Sequence, residues 1–260
     1  MGTPTFDELL AEGESVPVSG WDFSWFAGRA TEERPPWGYS RLLTGRLARA
    51  HAALDLQTGG GEVFAEAVAR LPEPPPVLAA TESWPPNTGA ARDRLRRSGV
   101  AVVRAADQGG LPFIAGSFDL VVSRHPTVVA WDEIARVLEP GGTYFSQQVG
   151  AGSVRELTDF LMGPQPVSQA RSPRRAVQAA EAAGLRVVDL RQASLRMAFH
   201  DVGAVVHFLR KVIWIVPGFT VDRYRARLAA LHDRIQASGP FLAHAQRFLI
   251  EARRAGGDQP

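Results

Sequence analysis

The chain has no cysteine and only one lysine, Lys211, among its 260 residues. Without cysteine, disulfide bonds, thiolate-bound zinc and a cysteine nucleophile are all excluded. Positive and negative side chains are also nearly balanced, and the formal net charge is only +2. A balance this small is not the electrostatic footprint of a nucleic-acid-binding protein. The arginine-rich runs 92–97 and 171–175 fall in predicted helices and are better explained as solvated helix faces.

Long hydrophobic runs are missing as well. The longest apolar stretch, Val212–Val216, directly follows Arg210 and Lys211 and is far too short to cross a bilayer. Residues 1–14 have neither the basic region nor the apolar region of a secretory signal. We therefore expect a cytoplasmic protein with no membrane partner. The sequence gives no indication of the oligomeric state.

From residue 51 onward, short apolar runs alternate with segments of helical periodicity, which is typical of a parallel sheet wrapped by helices. One helix is clearly delimited, since Ser172 can cap it, Pro173 suits its first turn and Gly184 suits its left-handed end. We expect residues 51–260 to form a single α/β domain with a seven-stranded, mostly parallel sheet and helices on both faces. The predicted strands are 52–56, 77–80, 100–103, 118–122, 143–146, 185–190 and 246–252.

The first fifty residues differ in composition from the rest of the chain. Aromatic residues that include Trp25, Trp37 and Tyr39 are crowded there among charged ones. Such a segment is either a hydrophobic clasp over the sheet or a lid over a ligand. We treat residues 1–50 as an N-terminal helical and aromatic lid segment, and Trp37 and Tyr39 as candidates for a substrate pocket.

The central feature is residues 54–62, in which a predicted strand runs into a cluster of three glycines and then into a helix. Glycines let a backbone approach a ligand closely, and a helix N-terminus offers free N–H groups. Ligands of open parallel sheets bind at the carboxyl ends of the strands. Glu82 and Asp107 follow the next two strands, where carboxylates commonly accept hydrogen bonds from a ribose or an exocyclic amine. Three such features in chain order favour a ligand site over a tight turn and two loop carboxylates.

Residues 55–61 resemble the D-x-G-x-G-x-G motif of a known family, and Glu82-Ser83 resembles its acidic element after the second strand. Asp107 precedes Leu111-Pro112-Phe113 by four residues, as in the family's D-x-x-x-L-P-F element. Residues 116–122 and 138–143 resemble its fourth-strand and fifth-strand elements. From residue 54 to residue 150, the chain thus resembles the class I S-adenosylmethionine-dependent methyltransferases of the type-11 group.

This resemblance implies a Rossmann-like fold, S-adenosylmethionine as cofactor and transfer of its methyl group to a small molecule, at oxygen, nitrogen or carbon. It implies that Asp55 and the backbone of the glycine turn hold the methionine portion and that Glu82 binds the ribose hydroxyls. Asp107 would accept a hydrogen bond from the adenine amine. The remaining implied cofactor contacts are Gln57, Thr58, Gly59, Gly60, Gly61, Ser83, Trp84, Gln108, Ser123 and Arg124.

The glycine turn departs from the family at one position, because Gln57 stands where the motif has its first glycine. A side chain there must point away from the cofactor or make a polar contact of its own, for example with the methionine carboxylate. The same turn argues against an oxidoreductase, which would need G-x-G-x-x-G.

Methyl transfer from a sulfonium needs alignment, and it needs a base only when the acceptor must lose a proton. His125 follows the fourth predicted strand and is the candidate base; alternatively, it shapes the turn before Pro126. Gln147 and Gln148 could orient a substrate or cap the end of a strand. His200 is a further pocket candidate or an ordinary half-buried histidine. The scattered histidines have no metal-ligand spacing, so we expect no metal.

Two other functions stay open at this stage. One is an RNA base methyltransferase, against which the charge balance argues. The other is a domain that binds the cofactor without transferring a methyl group, which the glycine departure and the unassigned base both allow.

Overall fold

The computed structural model describes residues 4–18 and 23–256. Residues 1–3, 19–22 and 257–260 of the predicted segments 1–50 and 51–260 lie outside these ranges. The helices are α1 Phe6–Ser15, α2 Tyr39–Leu47, α3 Glu62–Ala69, α4 Pro85–Leu95, α5 Trp131–Val137, α6 Arg155–Met162, α7 Pro173–Ala182, α8 Val202–Lys211 and α9 Val221–Ser238. The strands are β1 Ala30–Glu32, β2 Ala52–Leu56, β3 Val77–Glu82, β4 Ala101–Arg104, β5 Phe118–Arg124, β6 Leu138–Val149, β7 Leu185–Phe199 and β8 Phe241–Arg254.

The chain divides into two compact units. The larger unit contains Pro35–Gly150, Gln169–Ala193 and the residues from Arg247 onward. The smaller unit contains the residues up to Arg34 together with Ala151–Ser168 and Ser194–Gln246. Strands β7 and β8 each contribute residues to both units.

In the larger unit, the strands follow the order β7-β8-β6-β5-β2-β3-β4. Neighbouring strands from β6 through β5, β2 and β3 to β4 are parallel, whereas β8 runs antiparallel to β6. The α/β class and the mostly parallel sheet are therefore confirmed. The described residues contain eight strands, one more than predicted. The additional strand, β1, has only three residues and lies in the smaller unit, where it pairs with the end of β7. A strand this short carries no usable periodicity.

The core of the larger unit lies on both faces of its sheet. Alternate residues of β2 point to opposite faces, so that Ala53 joins one hydrophobic cluster and Leu54 joins the other. The first cluster packs against α2, α3 and α4, and the second packs against α5 and α7. This double coverage explains why β2 reads as a continuous apolar run, with every residue buried.

Most predicted boundaries are close to the observed ones, and β2 coincides with its prediction. The side-chain oxygen of Ser172 caps α7 by accepting from the N–H of Arg175, and Gly184 has the predicted left-handed conformation (φ 79°). Strands β6, β7 and β8 extend beyond their apolar runs, because ladder pairing continues through polar positions; Gln148, for example, pairs with Phe248. Conversely, the helical periodicity of residues 202–215 predicts a longer helix than the observed α8, which ends at Lys211.

The smaller unit is built around the packing of α1 on α8. A Cβ added to Gly13 would lie 2.5 Å from the carbonyl oxygen of Gly203, so two helix backbones meet here at a distance that only glycine permits. Arg210 donates to the carbonyl oxygens of Gly13 and Val16, both at 2.8 Å, and satisfies acceptors at the end of α1. No helix among the described residues is long and apolar enough to cross a membrane.

Candidate functional site

The carboxyl ends of β2, β3 and β5 bring three polar side chains to one edge of the sheet in the larger unit. Asp55, Glu82 and Ser123 are all buried there. Strand register places Leu56 opposite Ser123 and pairs Asp55 with Val122. Parallel strands end at a common edge, which explains how residues far apart in sequence assemble here.

Asp55 is a buried carboxyl group, only 7% exposed. Burial, together with the neighbouring carboxylate of Glu82, raises the pKa of Asp55 to about 7. The side chain of Thr58 and the charge of Arg124 act in the opposite direction. A cationic partner would stabilise the charged form of this buried carboxyl group and lower its pKa.

Glu82 ties the end of β3 to the glycine turn. One carboxylate oxygen accepts from the N–H of Gly59 at 2.8 Å, and the other accepts from the N–H of Trp84 at 3.0 Å. Burial raises the pKa of Glu82, while these two backbone donors lower it. The carboxylate therefore fixes the position of two loops at once.

The glycine turn has the backbone geometry expected of the motif. Gly59 and Gly61 have φ angles of 63° and 78°, a left-handed conformation that favours glycine. Gly61 is the N-cap of α3. Gly60 is closely surrounded, since an added Cβ would lie 2.3 Å from the side chain of Glu62. Arg94 donates to the Gly60 carbonyl and forms an ion pair with Glu62 at 2.9 Å, which anchors the turn to α4.

Gln57 also adopts a left-handed conformation, with φ 55°. Its side-chain nitrogen donates to the carbonyl of Val128 at 2.6 Å. Its side-chain oxygen accepts from the backbone N–H of Thr127 at 2.7 Å and lies 2.9 Å from the Thr127 hydroxyl. The residue that replaces the first glycine thus makes polar contacts of its own, with the loop that follows β5.

Thr127 links Gln57 to Asp107. The Thr127 hydroxyl lies 2.8 Å from a carboxylate oxygen of Asp107 as well as close to Gln57. A hydroxyl has one hydrogen, so it donates to only one of these two acceptors at a time. Gln57, Asp107, Ser123, Pro126 and Val128 line a cavity of about 20 Å³, which is room for a single water molecule. We call this cavity, which lies where Thr127 connects Gln57 to Asp107, the Thr127 crevice.

Three residues that the sequence analysis placed in separate roles form one hydrogen-bonded chain. Trp37 Nε1 donates to Gln147 Oε1 at 2.7 Å, and the other end of the Gln147 amide lies 2.9 Å from Nε2 of His125. The backbone N–H of His125 donates to the Gln147 carbonyl at 2.7 Å, and His125 has a φ of 55°. Burial lowers the pKa of His125 well below its ordinary value, and the charges of Arg124 and Arg247 lower it further. His125 is therefore neutral near pH 7.

Tyr39 belongs to the core of the larger unit. Its ring stacks on Phe145 with 5.2 Å between centroids, and its hydroxyl donates to the carbonyl of Ser123 at 3.0 Å. The Ser123 hydroxyl in turn lies 2.7 Å from the Tyr144 hydroxyl and 2.9 Å from that of Ser146. These contacts give Tyr39 and Ser123 a structural role in joining α2, β5 and β6.

The other predicted site residues occupy different surroundings. Ser83 is half-buried, while Trp84, Gln108 and Arg124 are exposed around the same edge. Gln148 is buried on the opposite face of β6 from Gln147. His200 is an exposed residue of the smaller unit, where its N–H donates to the Arg29 carbonyl at 2.8 Å. Thr127 was missed by the sequence analysis, although its place two residues after His125 was a usable signal.

Comparison with known proteins gives a family match over the centre of the chain. Residues 54–146 match the family model described as a methyltransferase domain. No curated protein matches the sequence.

Solved structures share the fold at low sequence identity. The YcgJ protein of Bacillus subtilis is 18% identical with a TM-score of 0.56, over 84% of this chain and 100% of its own. The [4+2]-cyclase SpnF is 17% identical with a TM-score of 0.53, over 99% of both chains. A geranyl diphosphate methyltransferase in complex with SAM is 13% identical with a TM-score of 0.50, over 83% of this chain and 84% of its own.

Proposed function

We propose that the chain transfers a methyl group from S-adenosylmethionine to a small-molecule acceptor, because residues 54–146 match the methyltransferase domain family model. One observation carries the proposal. Asp55, Glu82 and Asp107 lie at or just beyond the carboxyl ends of three neighbouring parallel strands. They are beside a left-handed glycine turn that leads into a helix.

The chemistry of these donors and acceptors fits the cofactor. Asp55, buried with a pKa of about 7, would pair with the ammonium group of the methionine portion. Each oxygen of Glu82 accepts one backbone hydrogen bond and keeps a lone pair for a ribose hydroxyl. Asp107 would accept from the adenine amine in place of Thr127. When bound, S-adenosylmethionine supplies a methyl group made electrophilic by the positively charged sulfur.

Other residues complete the proposed cofactor site. The backbone of Gly59–Gly61 would lie beside the methionine portion, with Thr58 in the same turn. Gln57 serves this turn indirectly, because its amide is bonded to residues 127 and 128. The remaining assignments are Ser83 and Trp84 beside the adenine, Gln108 through its backbone, and Ser123 and Arg124 at the floor of the crevice.

The hydrogen bonds around His125 support a positioning role. Nε2 of His125 faces the Gln147 amide, and the lowered pKa makes the ring a weak base. We assign no proton transfer to it. Instead, Trp37 and Gln147 hold His125 and the turn that leads to Pro126 at the mouth of the crevice. A fixed turn matters here because orientation of the two reactants can supply roughly 7–11 kcal/mol towards a transfer reaction.

The test is to incubate the pure protein with methyl-labelled S-adenosylmethionine, a metabolite extract below a size cut-off and total RNA in separate reactions. Label in the metabolite fraction is the expected result. Label in RNA alone would favour an RNA base methyltransferase. Binding of the cofactor with label in neither fraction would favour a domain that binds it without methyl transfer.

The non-transferring alternative has its own support, because His125 is poorly placed as a base and one neighbour of similar fold is described as a [4+2]-cyclase. Calorimetry with S-adenosylmethionine separates cofactor binding from turnover. We expect Glu82→Gln to weaken binding at least tenfold, since its amide must present N–H groups where the carboxylate accepts. Glu66→Gln is the matched control, because Glu66 is an exposed residue of α3 that pairs with Arg70 and does not contact the glycine turn. Equal affinities of both variants and the unmodified protein would contradict our placement of the ribose.

A further inference from the structure

A cavity of about 720 Å³ lies in the larger unit, beside the Thr127 crevice. Its volume is within the range of about 300–1,000 Å³ that is usual for small-molecule sites. Residues of α5, α7, β6, β8 and the 126–129 loop form its walls, and the proposed cofactor contacts do not use it. We call this space the α7 cavity.

Gln148 gives the α7 cavity a buried polar group. Its side chain is 8% exposed, lines the cavity, and its nitrogen Nε2 has no hydrogen-bond partner among the described residues. The Gln148 side chain is near enough to Tyr144 to lower the pKa of that hydroxyl, but the geometry of a hydrogen bond from Nε2 is not met. Buried donors are nearly always satisfied in folded proteins, so an unsatisfied one marks a place for an acceptor atom from a ligand.

The charge of the lining is positive. Arg171 and Arg175 line the α7 cavity, and no acidic residue does. Both flank the N-terminus of α7, whose first turn contains no acidic side chain to balance the positive end of the helix dipole. Burial lowers the pKa of Arg171 below its ordinary value, which reflects a guanidinium group that has lost part of its hydration. Guanidinium groups bind the two oxygens of a carboxylate or phosphate well.

The remaining walls are apolar. Trp131 is half-buried, packs edge-on against Tyr144 at 5.4 Å between centroids and forms part of the lining. Phe248, with several valines and alanines, completes this surface. An aromatic wall of this kind fits a flat apolar group. The cavity therefore combines a cationic side with an apolar side.

The position of the α7 cavity relates it to the proposed reaction. Pro126, Val128 and Val129 line both this cavity and the Thr127 crevice, so the 126–129 loop is their common wall. A molecule in the cavity would lie one loop away from Asp107 and Ser123.

We propose that the α7 cavity binds the methyl acceptor, and that this acceptor is a small molecule with a planar apolar body and one oxyanion group. The claim that the bound molecule is the methyl acceptor rests on the proposed function. The claim that the cavity binds an oxyanion-bearing molecule does not depend on it. Arg171, Arg175 and Gln148 would bind the oxyanion, and Trp131 would contact the planar body. Carboxylate and phosphate share this chemistry and are separated by the test.

The test is a titration followed by NMR, with benzoate, phenyl phosphate and neutral benzamide as probes. We expect at least one of the two anions to bind at least tenfold more tightly than benzamide, and the tighter of the two identifies the preferred oxyanion. Arg175→Glu should weaken anion binding at least tenfold. Arg174→Glu makes the same charge change on the neighbouring exposed residue, which does not line the cavity, and should change the affinity less than twofold.

Gln148→Leu extends the test to the buried donor. It should weaken anion binding several-fold and weaken benzamide binding less, because a hydrogen bond to a charged oxygen is the stronger one, after circular dichroism has established that the variant is folded. Equal affinity for anions and benzamide, or equal effects of Arg174→Glu and Arg175→Glu, would overturn the proposed site. A separate result would show that the cavity is not the acceptor site: an anionic probe that binds but does not inhibit transfer of label to the metabolite. Absence of any transfer while the probes still bind would count against the proposed function alone.

Discussion

The indole Nε1 of Trp37 donates a hydrogen bond to the side-chain oxygen of Gln147, 110 positions away, at 2.7 Å. An indole nitrogen can only donate, so this bond requires the Gln147 oxygen to face Trp37 and its amide nitrogen to face His125. Nε2 of His125, 2.9 Å away, must then accept, and the ring hydrogen resides on Nδ1. A single tryptophan thereby sets the tautomer of the histidine that follows β5.

Trp37→Phe is expected to raise the pKa of His125 towards its ordinary value. Without the indole donor, the Gln147 amide can turn its oxygen towards the ring and stabilise the protonated imidazolium. The measurement is an NMR titration of the His125 ring between pH 4 and pH 8. Tyr39→Phe is the control, because it removes a buried hydroxyl from the same segment without touching Gln147. An identical titration in both variants would show that Trp37 does not control His125.

Asp55→Asn is expected to stabilise the fold while weakening cofactor binding. Because the pKa of Asp55 is raised from 3.8 to about 7, the folded state binds this proton more tightly than the unfolded state does. The contribution of Asp55 to the free energy of unfolding therefore falls as the pH rises from about 4 to 7. Above pH 7 the cost of the buried charge is up to about 4 kcal/mol, and asparagine avoids it.

Urea denaturation at pH 5 and pH 8 measures this difference. The variant should gain stability over the unmodified protein at pH 8 and little at pH 5. In calorimetry with S-adenosylmethionine, the unmodified protein should bind about fivefold more weakly at pH 6 than at pH 7, because only ionised Asp55 pairs with an ammonium. A loss of stability in the variant at pH 8 would mean that the carboxylate is already compensated inside the fold.

Thr127→Val is expected to increase the affinity for S-adenosylmethionine. In the structure, the Thr127 hydroxyl lies 2.8 Å from a carboxylate oxygen of Asp107. The adenine amine would donate to the same carboxylate and so compete with this hydroxyl. Removing a competing hydrogen bond worth about 1 kcal/mol corresponds to roughly a fivefold gain in affinity. Thr127→Ser keeps the hydroxyl and should bind as the unmodified protein does. Weaker binding by the valine variant than by the serine variant would indicate that the Thr127 bridge shapes the cofactor site instead of blocking it.

His207→Met is expected to make the protein less sensitive to acid. His207 is buried in the smaller unit between the rings of Trp25 and Phe26, at centroid distances of 5.1 and 5.0 Å. Burial, together with the charges of Lys211 and Arg210, lowers the pKa of His207 to about 4. Between pH 6.5 and pH 4 the unfolded state binds the extra proton and the folded state does not, so stability falls as the pH falls.

The free energy of unfolding, measured in urea at pH 4.5 and pH 7, should differ less in this variant than in the unmodified protein, by up to about 3 kcal/mol. His200→Gln serves as the control, because it removes an exposed histidine from the same unit. The explanation fails if the control changes the pH dependence as much as His207→Met does.

Several parts of this molecule could be read from the sequence because the forces that produce them act locally. The apolar run 52–56 is a buried strand, since each of its residues has to leave water, and Ser172 caps α7, since a helix start needs an acceptor for its free N–H groups. The position of Glu82 at the end of β3 follows from the same run-and-turn pattern. Strand β1 could not be read, because three residues have no periodicity and pair only where β7 is available.

The sequence by itself thus determined the α/β class, the mostly parallel sheet, the glycine turn and the carboxylates beside it. Tertiary structure alone decided what these side chains bind: Gln57 contacts Thr127 and Val128, and His125 is held through Gln147. Hydrophobic periodicity reports which side of an element is buried, a property of neighbouring residues. A hydrogen bond depends on placing two atoms to within a few tenths of an ångström, and for residues 70 or 110 positions apart only the packed sheet and its loops supply that placement.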